Sequence, residues 1–513
     1  MRQPFLRSAA EHQGPRPLLR AMGLAMAAGA ASVFAFAPFG NWWLAIASIG
    51  FLFYQVGLVP APRRAAWIGW AFGLGWSVAG MHWLHVAMHR FGNLPWLLAA
   101  VAVVLLGCYM GLFFSAAMAA ASWLRQRFAI GIAWFFLAVL PACWSLGEWV
   151  RGWLFTGIPW VSSGYVHTTS PLASLAPVFG VYGLGWATAL CGGALVMLIQ
   201  RQRWAGIGAL AAVAAAAVGF GQIAWTSPSG NAISVRLNQG NIAQSEKFDA
   251  ARIDSALLLY RDLLTRQPAD LVAAPETAIV LFPQQLPPGY LDSLAAYARD
   301  SRSALLFGIP LADSPSRYAN SVLGFAPEGG SYRYDKRHLV PFGEFIPPGF
   351  RWFTELMRIP LGDFTPGGPV QPAMAVRDQR VLPNICYEDL FGEEIAANLR
   401  ASAAPATILL NVSNMAWYGE SVAIPQHLQL SQMRALETGR PVLRATNNGA
   451  TAIIDADGQV RQMLPFYQRG TLSGTVQGRQ GLTPYVRVGN AGVLLLCLLA
   501  VGAAVLIGRQ RRA

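Results

Sequence analysis

Acidic side chains are almost absent from the first half of this 513-residue chain: residues 1–225 contain only Glu11 and Glu148. The segment 226–487 is different, with 23 basic and 23 acidic residues, whereas everything outside it holds 15 basic and 2 acidic residues. The net charge of +13 therefore belongs to the apolar part of the chain. A nucleic-acid-binding surface gathers its positive charge on one soluble domain. This distribution excludes nucleic acid as a partner and favours a membrane protein.

Long uncharged runs predict where the chain crosses the membrane. About 20 apolar residues span a bilayer as a helix, and the runs predict eight such helices. They are expected near residues 21–37, 42–59, 66–88, 95–121, 129–150, 178–199, 205–225 and 488–508. The stretch 152–177 is also apolar, but Gly157, Pro159 and Pro171 interrupt it. We interpret it as an interfacial or re-entrant loop, shielded by the surrounding protein.

The arginines of the apolar part predict its orientation. Thirteen of them lie at the N-terminus, in alternate loops and at the C-terminus, whereas the loops of the opposite side hold only Arg90 and Arg151. By the positive-inside rule both termini are cytoplasmic. Seven spans precede residue 226, so the segment 226–487 is expected outside the cytoplasm. Cleavage of a signal peptide at Ala35-Phe36-Ala37 is an alternative, and it would leave the segment 226–487 on the same side of the membrane.

The sequence thus divides into a transmembrane domain at 1–225, a soluble domain at 226–487, and a last span with a basic cytoplasmic tail at 488–513. In the soluble domain, short β-branched runs alternate with amphipathic patterns, which is typical of an α/β fold. The predicted strands are Ile233–Leu237, Leu271–Ala274, Ala304–Gly308, Val381–Ile385, Thr407–Leu410, Val442–Ala445 and Thr451–Ile454. The predicted helices are Asp249–Arg266, Tyr290–Arg299 and Gln426–Glu437.

Cysteine is scarce in the same domain, where Cys386 is the only one. A disulfide within the domain is excluded, and a lone thiol is either a small buried hydrophobe or a nucleophile. Glu276 and Cys386 close predicted strands, and Lys336 follows a third β-like run, so the three side chains can share one edge of the fold. A carboxylate can take the proton of a thiol, and an ammonium can stabilise a thiolate or an oxyanion.

Lysine is the rarest charged residue, since only Lys247 and Lys336 occur among 38 basic residues. A lysine provides a compact ammonium where a planar guanidinium serves less well, so its use at position 336 favours a chemical role. A Ser-His-Asp site competes poorly, because the soluble domain contains only His338 and His427.

These residues resemble a known family. Glu276, Lys336 and Cys386 occur in the order of the Glu-Lys-Cys triad of the nitrilase superfamily, and the run from Asp335 to Glu344 resembles its lysine motif. Together with eight predicted spans and the stretch from Arg151 to Trp160, the pattern resembles the apolipoprotein N-acyltransferases. The resemblance implies a four-layer α-β-β-α sandwich for the soluble domain. It also implies a multi-pass protein of the bacterial inner membrane, whose catalytic domain faces the periplasm and which uses neither cofactor nor metal.

The same resemblance implies a two-step acyl transfer. Cys386 attacks an acyl ester of a membrane phospholipid, and the resulting thioester passes the acyl chain to the α-amino group of a diacylglyceryl-cysteine at a lipoprotein N-terminus. Glu276 is then the general base, and Lys336 stabilises the oxyanion. The backbone N–H of Tyr387 joins Lys336, and two further carboxylates have a supporting role, Glu344 and Glu388.

Phe248 departs from the family pattern, because family members often carry tryptophan there. An apolar contact with lipid survives that change, whereas a role for an indole N–H does not.

Two alternatives remain at the level of sequence. His82, His85 and His89 have the spacing of one helical face, which suits metal binding or proton relay in a transporter. A membrane-tethered amidase using the same three residues would resolve its acyl-enzyme with water instead of an amine.

Overall fold

The computed structural model describes residues 15–200, 202–314, 316–347, 349 and 363–511. The chain forms two compact units. The first takes its described residues from Met1–His85, Pro95–Ile223 and Val488–Ala513, and the second from Val86–Leu94 and Ala224–Arg487. Several of the arginines that set the predicted orientation, including Arg2, Arg7, Arg201 and Arg512, lie outside the described residues.

The first unit is helical. Its α-helices are Pro15–Ala31, Trp43–Leu58, Pro62–Met81, Trp96–Phe128, Ile132–Trp134, Leu140–Arg151, Ala176–Ile199, Arg203–Gly221 and Ala491–Gln510, with the short helix Leu84–Val86 at its boundary with the second unit. One-turn 3₁₀ or π segments occur at Ser32–Ala35, Phe135–Val139, Leu154–Thr156, Ser163–His167 and Pro171–Leu175.

Six helical segments are long and apolar enough to cross a membrane within the part of the chain that the structure describes. They are Arg16–Ala35, Trp96–Phe128, Ile132–Arg151, Pro171–Ile199, Arg203–Gly221 and Ala491–Gln510. The other two predicted spans also coincide with helices. Of these, Trp43–Leu58 has only 16 residues, and Pro62–Met81 opens with two arginines.

The loop that follows Arg151 is irregular and mostly buried. Arg151 donates hydrogen bonds to the carbonyl oxygens of Ile158 and Trp160, at 2.6 and 2.8 Å. Glu148 accepts the N–H and the hydroxyl of Ser163, at 2.6 and 2.7 Å. Polar backbone groups shielded from water need such internal partners. The two charged residues of this apolar region therefore hold the loop in place.

The predicted histidine face is not formed. The helix that begins at Pro62 ends at Met81, and the chain continues through a turn, the short helix Leu84–Val86 and a π-helix at Ala87–Phe91. The three imidazoles contact different carbonyl oxygens: His82 that of Ala79, His85 that of Trp96 and His89 that of Leu94. Among the described residues, no group of three or more histidine, cysteine or acidic side chains could hold a metal ion. The transporter hypothesis loses the feature on which it rested.

The second unit is an α/β domain. Its strands are β1 Ser227–Pro228, β2 Ile233–Gln239, β3 Leu271–Ala273, β4 Ala304–Ser314, β5 Arg317–Phe325, β6 Ser331–Asp335, β7 Met374–Val376, β8 Gln379–Ile385, β9 Ile408–Ser413, β10 Val442–Thr446, β11 Ala452–Ile454, β12 Val460–Met463, β13 Gly470–Val476 and β14 Arg479–Gln480. Its α-helices are Gln244–Lys247, Ala250–Thr265, Tyr290–Ser301, Gly392–Ala401, Ala423–Thr438 and Pro484–Val488. Short 3₁₀ turns lie at Pro283–Gln285, Cys386–Leu390 and Ala416–Tyr418.

Two six-stranded sheets form the body of this unit. Their strand orders are β13-β2-β3-β4-β5-β6 and β12-β11-β10-β9-β8-β7, and β1 pairs with β14 in a separate ribbon. The central pairs β2-β3, β3-β4, β8-β9 and β9-β10 are parallel, and the outer pairs are antiparallel. Parallel central strands are buried on both faces, which explains why they read as continuous apolar runs.

Side chains alternate between two cores along the central strands. Ala273 belongs to a core that contains residues of both six-stranded sheets, among them Val235, Ile385 and Val412. Its neighbour Val272 points into another core, which packs the first sheet against the helices Ala250–Thr265 and Tyr290–Ser301. The period of two residues in a strand requires this alternation.

A short stretch from the N-terminal half of the sequence belongs to the α/β unit. This stretch, Val86–Leu94, lies between two helices of the first unit along the chain. Its Phe91 packs edge-on against Trp417, with 5.6 Å between the ring centroids. The α/β unit is therefore assembled from two separate parts of the sequence.

Candidate active site

Three strand ends bring the predicted triad together. Glu276 lies three residues beyond the end of β3, Lys336 follows β6 directly, and Cys386 follows β8 directly. The Lys336 Nζ donates to Glu276 Oε1 at 3.3 Å, and the Cys386 thiol interacts electrostatically with both Glu276 and Lys336. Carboxylate, ammonium and thiol thus form one cluster.

Glu276 is held by donors on both of its carboxylate oxygens. Oε1 accepts the side-chain amide of Asn320 at 2.9 Å in addition to Lys336, and Oε2 accepts the backbone N–H of Asn414 at 2.9 Å. Burial raises the pKa of this carboxyl, but the positive charge of Lys336 and the Asn320 amide outweigh it, so the pKa lies below its ordinary value. Glu276 is therefore an ionised carboxylate at neutral pH and can accept a proton.

Lys336 lies between two carboxylates. Its Nζ donates to Glu344 Oε1 at 2.8 Å, a shorter contact than the one to Glu276. Glu344 is itself positioned by Asn320, at 2.9 Å, and by the backbone N–H of Val340, at 2.8 Å. Burial lowers the pKa of Lys336, but Glu344 and Glu276 raise it more, and the net shift is upward. Lys336 stays an ammonium and acts as a donor, which excludes it as the base.

Cys386 has an unusual backbone. Its φ is +52°, in the left-handed region that side chains other than glycine rarely adopt. It opens the 3₁₀ turn Cys386–Leu390, and its carbonyl oxygen lies 3.2 Å from Nε2 of His427. Burial and the negative charge of Glu276 raise the pKa of the thiol above its ordinary value. The resting pair is therefore a protonated thiol beside an ionised carboxylate.

Glu388 connects two of the strand ends. It accepts the backbone N–H groups of Ile385 and Arg337, at 2.6 and 2.7 Å, and the hydroxyl of Tyr334 at 3.1 Å. Burial raises its pKa to about 7. Its contacts join the segment beside Lys336 to the segment before Cys386, so Glu388 supports the cluster through the backbone.

Tyr387 is buried, and its ring packs against Phe391 with centroids 5.3 Å apart. Its backbone N–H belongs to the same tight turn as the thiol.

Three residues of the cluster lay outside the sequence prediction: Lys247, Asn320 and Asn414. Lys247 is buried, and its Nζ donates to the carbonyl oxygen of Glu276 at 3.1 Å. Its rarity was the signal that could have found it, because the argument applied to Lys336 applies equally to the only other lysine. Asn320 lies within β5 and Asn414 follows β9, and no spacing in the sequence points to either.

Gly308 allows the backbone of Glu276 to approach β4. A Cβ at this position would lie 2.6 Å from the Cα of Glu276, which is closer than side-chain atoms approach one another.

Phe248, which departs from the family pattern, follows Lys247 and has 58% of its surface exposed.

Two family descriptions match different parts of the chain. The family described as carbon-nitrogen hydrolase matches residues 216–485, and the family described as the apolipoprotein N-acyltransferase N-terminal domain matches residues 28–194. The fold and the site define a carbon-nitrogen hydrolase domain carried by a helical N-terminal region.

Relatives match the chain over its whole length. The apolipoprotein N-acyltransferase of Ralstonia nicotianae is 48% identical, over 100% of this chain and 99% of its own. That of Chromobacterium violaceum is 43% identical, over 97% and 96%. A crystal structure of an amidase from Nesterenkonia sp. aligns with a TM-score of 0.36 at 19% identity, covering 49% of this chain and 92% of the amidase. The chain belongs to the apolipoprotein N-acyltransferase family, whose members are enzymes of the carbon-nitrogen hydrolase superfamily.

Proposed function

We propose that this enzyme transfers an acyl chain from a membrane phospholipid to the N-terminal diacylglyceryl-cysteine of lipoproteins, through a thioester on Cys386. One observation carries the proposal: a protonated thiol lies beside an ionised carboxylate and an ammonium, in a chain whose full-length relatives are N-acyltransferases. This is the arrangement that covalent acyl transfer requires.

In the first step Glu276 takes the proton of the thiol as Cys386 Sγ attacks the ester carbonyl carbon of the phospholipid. Lys336 Nζ stabilises the oxyanion that forms, and the backbone N–H of Tyr387 donates a second hydrogen bond. The C–O bond then breaks, and the lysophospholipid oxygen takes the proton from Glu276. The products are the thioester and the lysophospholipid.

In the second step the uncharged α-amine of the lipoprotein attacks the thioester carbonyl carbon. Glu276 accepts a proton from the amine, the C–S bond breaks, and the thiolate of Cys386 recovers a proton from Glu276. One carboxylate thus serves as base and then as acid in both half-reactions. Glu344 and Glu388 act as supporting residues that hold Lys336 and the two backbone segments.

We further infer how the chain is placed in the membrane. Eight spans agree with the six long apolar helices and the two shorter or less apolar ones. The arginine bias supports a bacterial inner-membrane protein with both termini in the cytoplasm. The segment 226–487 then faces the periplasm, between the transmembrane domain at 1–225 and the last span and tail at 488–513. The two cores of the α/β unit support a four-layer α-β-β-α sandwich.

The test is the intact mass of the purified full-length protein after incubation with phospholipid alone, beside a Cys386→Ala control. We expect an added acyl mass on the wild type only. Adding a peptide with an N-terminal diacylglyceryl-cysteine should then remove the adduct and yield an acylated peptide. Loss of the adduct to free fatty acid with no acylated peptide would instead indicate a hydrolase. An adduct on both proteins would remove Cys386 from the mechanism.

A further inference from the structure

Both lysines of the chain contact the same residue. Lys336 binds the carboxylate of Glu276, and Lys247 binds its main-chain carbonyl oxygen. All the other basic residues of the chain are arginines. The two ammonium groups therefore hold Glu276 from its side chain and from its backbone.

Lys247 is a buried cation without a carboxylate of its own. Only 1% of its surface is exposed. Among the residues that the structure describes, the one hydrogen bond of its ammonium group is the contact with the Glu276 carbonyl at 3.1 Å. Burying a charge without a paired carboxylate is costly. A neutral donor such as glutamine could make the same carbonyl contact, so the contact alone does not account for a charged residue.

The positive charge of Lys247 makes the buried group around the thiol neutral overall. Glu276, Glu344 and Lys336 form a buried group with an excess of one negative charge. Lys247 cancels that excess, and it interacts electrostatically with both Glu276 and Cys386. When the proton moves from the thiol to Glu276, the negative charge moves from the Glu276 carboxylate to the Cys386 sulfur. Lys247 can therefore stabilise the site before and after the transfer.

We propose that Lys247 is a positioning residue that fixes Glu276 through its backbone and supplies the second positive charge with which Cys386 becomes a thiolate. The inference rests on the proposed role of Cys386 as the nucleophile.

The groups around Lys247 determine how this effect depends on pH. Burial lowers the pKa of Lys247 to about 8, against the opposing influence of Glu276 and Cys386. Lys336 and Glu344 face Glu276 from its other side. The charged residues at the near end of the helix Ala250–Thr265, Arg252 and Asp254, are exposed, whereas its buried Tyr260 bonds to Asn447 Oδ1 at 3.2 Å. Tyr418 interacts electrostatically with Cys386. Lys247 is charged below about pH 8, so its effect is greatest there.

The test measures the rate at which iodoacetamide alkylates Cys386 in the purified full-length chain, from about pH 6 to about pH 10. The readout is the mass of the peptide that contains Cys386. The variants are Lys247→Met, which removes the charge at similar size, and Lys247→Arg, which keeps it. The matched control is Glu246→Gln, because Glu246 is exposed in the same short helix.

Lys247→Met should slow alkylation by about tenfold below pH 8, and its rate should converge with that of the wild type as the pH rises above 8. Glu246→Gln should stay within about threefold of the wild type. Lys247→Arg keeps the charge on a larger, planar group, so it should react faster than Lys247→Met and more slowly than the wild type. An unchanged profile in Lys247→Met overturns the proposal, and so does an Arg variant as slow as the Met variant.

If thermal unfolding shows that Lys247→Met is not folded, Lys247→Gln is used in its place, because it keeps the contact with the Glu276 carbonyl. Alkylation needs no lipid, so its result is independent of whether phospholipid is the acyl donor.

Discussion

The imidazole of His427 is fixed in one tautomer by its neighbours. Arg444 Nη2 lies 2.8 Å from Nδ1, and a guanidinium can only donate, so Nδ1 is the acceptor. The proton is then on Nε2, which donates to the carbonyl oxygen of Cys386 at 3.2 Å. Burial and the charge of Arg444 keep the pKa of His427 well below its ordinary value. His427 is therefore a neutral imidazole that donates a hydrogen bond to Cys386, the residue with the left-handed backbone.

The hydrogen bond from His427 to the Cys386 carbonyl predicts different effects for two substitutions of His427. His427→Leu leaves the Cys386 carbonyl without its donor and should slow thioester formation by about tenfold, since a lost hydrogen bond is worth about 1.4 kcal/mol. His427→Gln offers an amide N–H and should restore most of the rate. Single-turnover mass measurements with phospholipid check the prediction, with thermal unfolding as the control for folding. Equal rates in the two variants would show that the donor is unimportant.

The sequence predicted the site residues that follow a strand. It did not predict those that reach the site only when the chain has folded. Glu276 and Cys386 follow β3 and β8, whose ends are visible as the last residues of apolar or β-branched runs. Lys336 follows the more polar β6, and the scarcity of lysine singled it out. Asn320 lies inside a strand, where its polarity gives no hint of the carboxylates on either side. Its role exists only once β5 has paired with β4.

At the scale of elements, Glu388 predicts how the stability of the α/β unit depends on pH. Its pKa rises from an ordinary 4.5 to about 7. A carboxyl with a raised folded-state pKa contributes stability that is complete below about pH 4.5 and is lost as the pH rises through about 7. The linked free energy is about 3 kcal/mol at most.

Glu388→Gln removes this titration, so its melting temperature should fall less than that of the wild type between about pH 5 and about pH 8. Thermal unfolding in detergent across this range measures the difference. Asp254→Asn, an exposed change on the helix Ala250–Thr265, is the control and should follow the wild type. Parallel curves for Glu388→Gln and the wild type would contradict the assignment.

Most of the strands that the sequence failed to predict lie at the edges of the two six-stranded sheets. Seven strands were predicted and are present, and they include the buried parallel centre of each sheet. Four of the missed strands, β6, β7, β12 and β13, are the edges of the two six-stranded sheets. An edge strand is paired on one side only, so it is short or polar and forms no continuous apolar run. Of the other three missed strands, β5 lies beside an edge, and β1 and β14 form the separate two-stranded ribbon.

At the scale of the whole molecule, the arginine distribution predicts that protease added to spheroplasts digests the segment 226–487. In inverted inner-membrane vesicles the same segment should be protected, because it then lies in the lumen. Immunoblotting of a tag inserted in the exposed turn that contains Gly329 measures both. A cytoplasmic marker enzyme controls for lysis. Protection in intact spheroplasts would reverse the proposed orientation.

The membership of Val86–Leu94 in the α/β unit has a genetic consequence. No single uninterrupted stretch of the gene encodes that unit, because five further α-helices of the first unit lie between this nine-residue part and the rest. A fragment expressed from 224–487 would lack Phe91 and leave Trp417 without its ring partner. Recombination between relatives that exchanges only the downstream stretch would separate two sequences that pack together. We therefore expect chimaeras to retain the wild-type fold only when both parts come from the same parent.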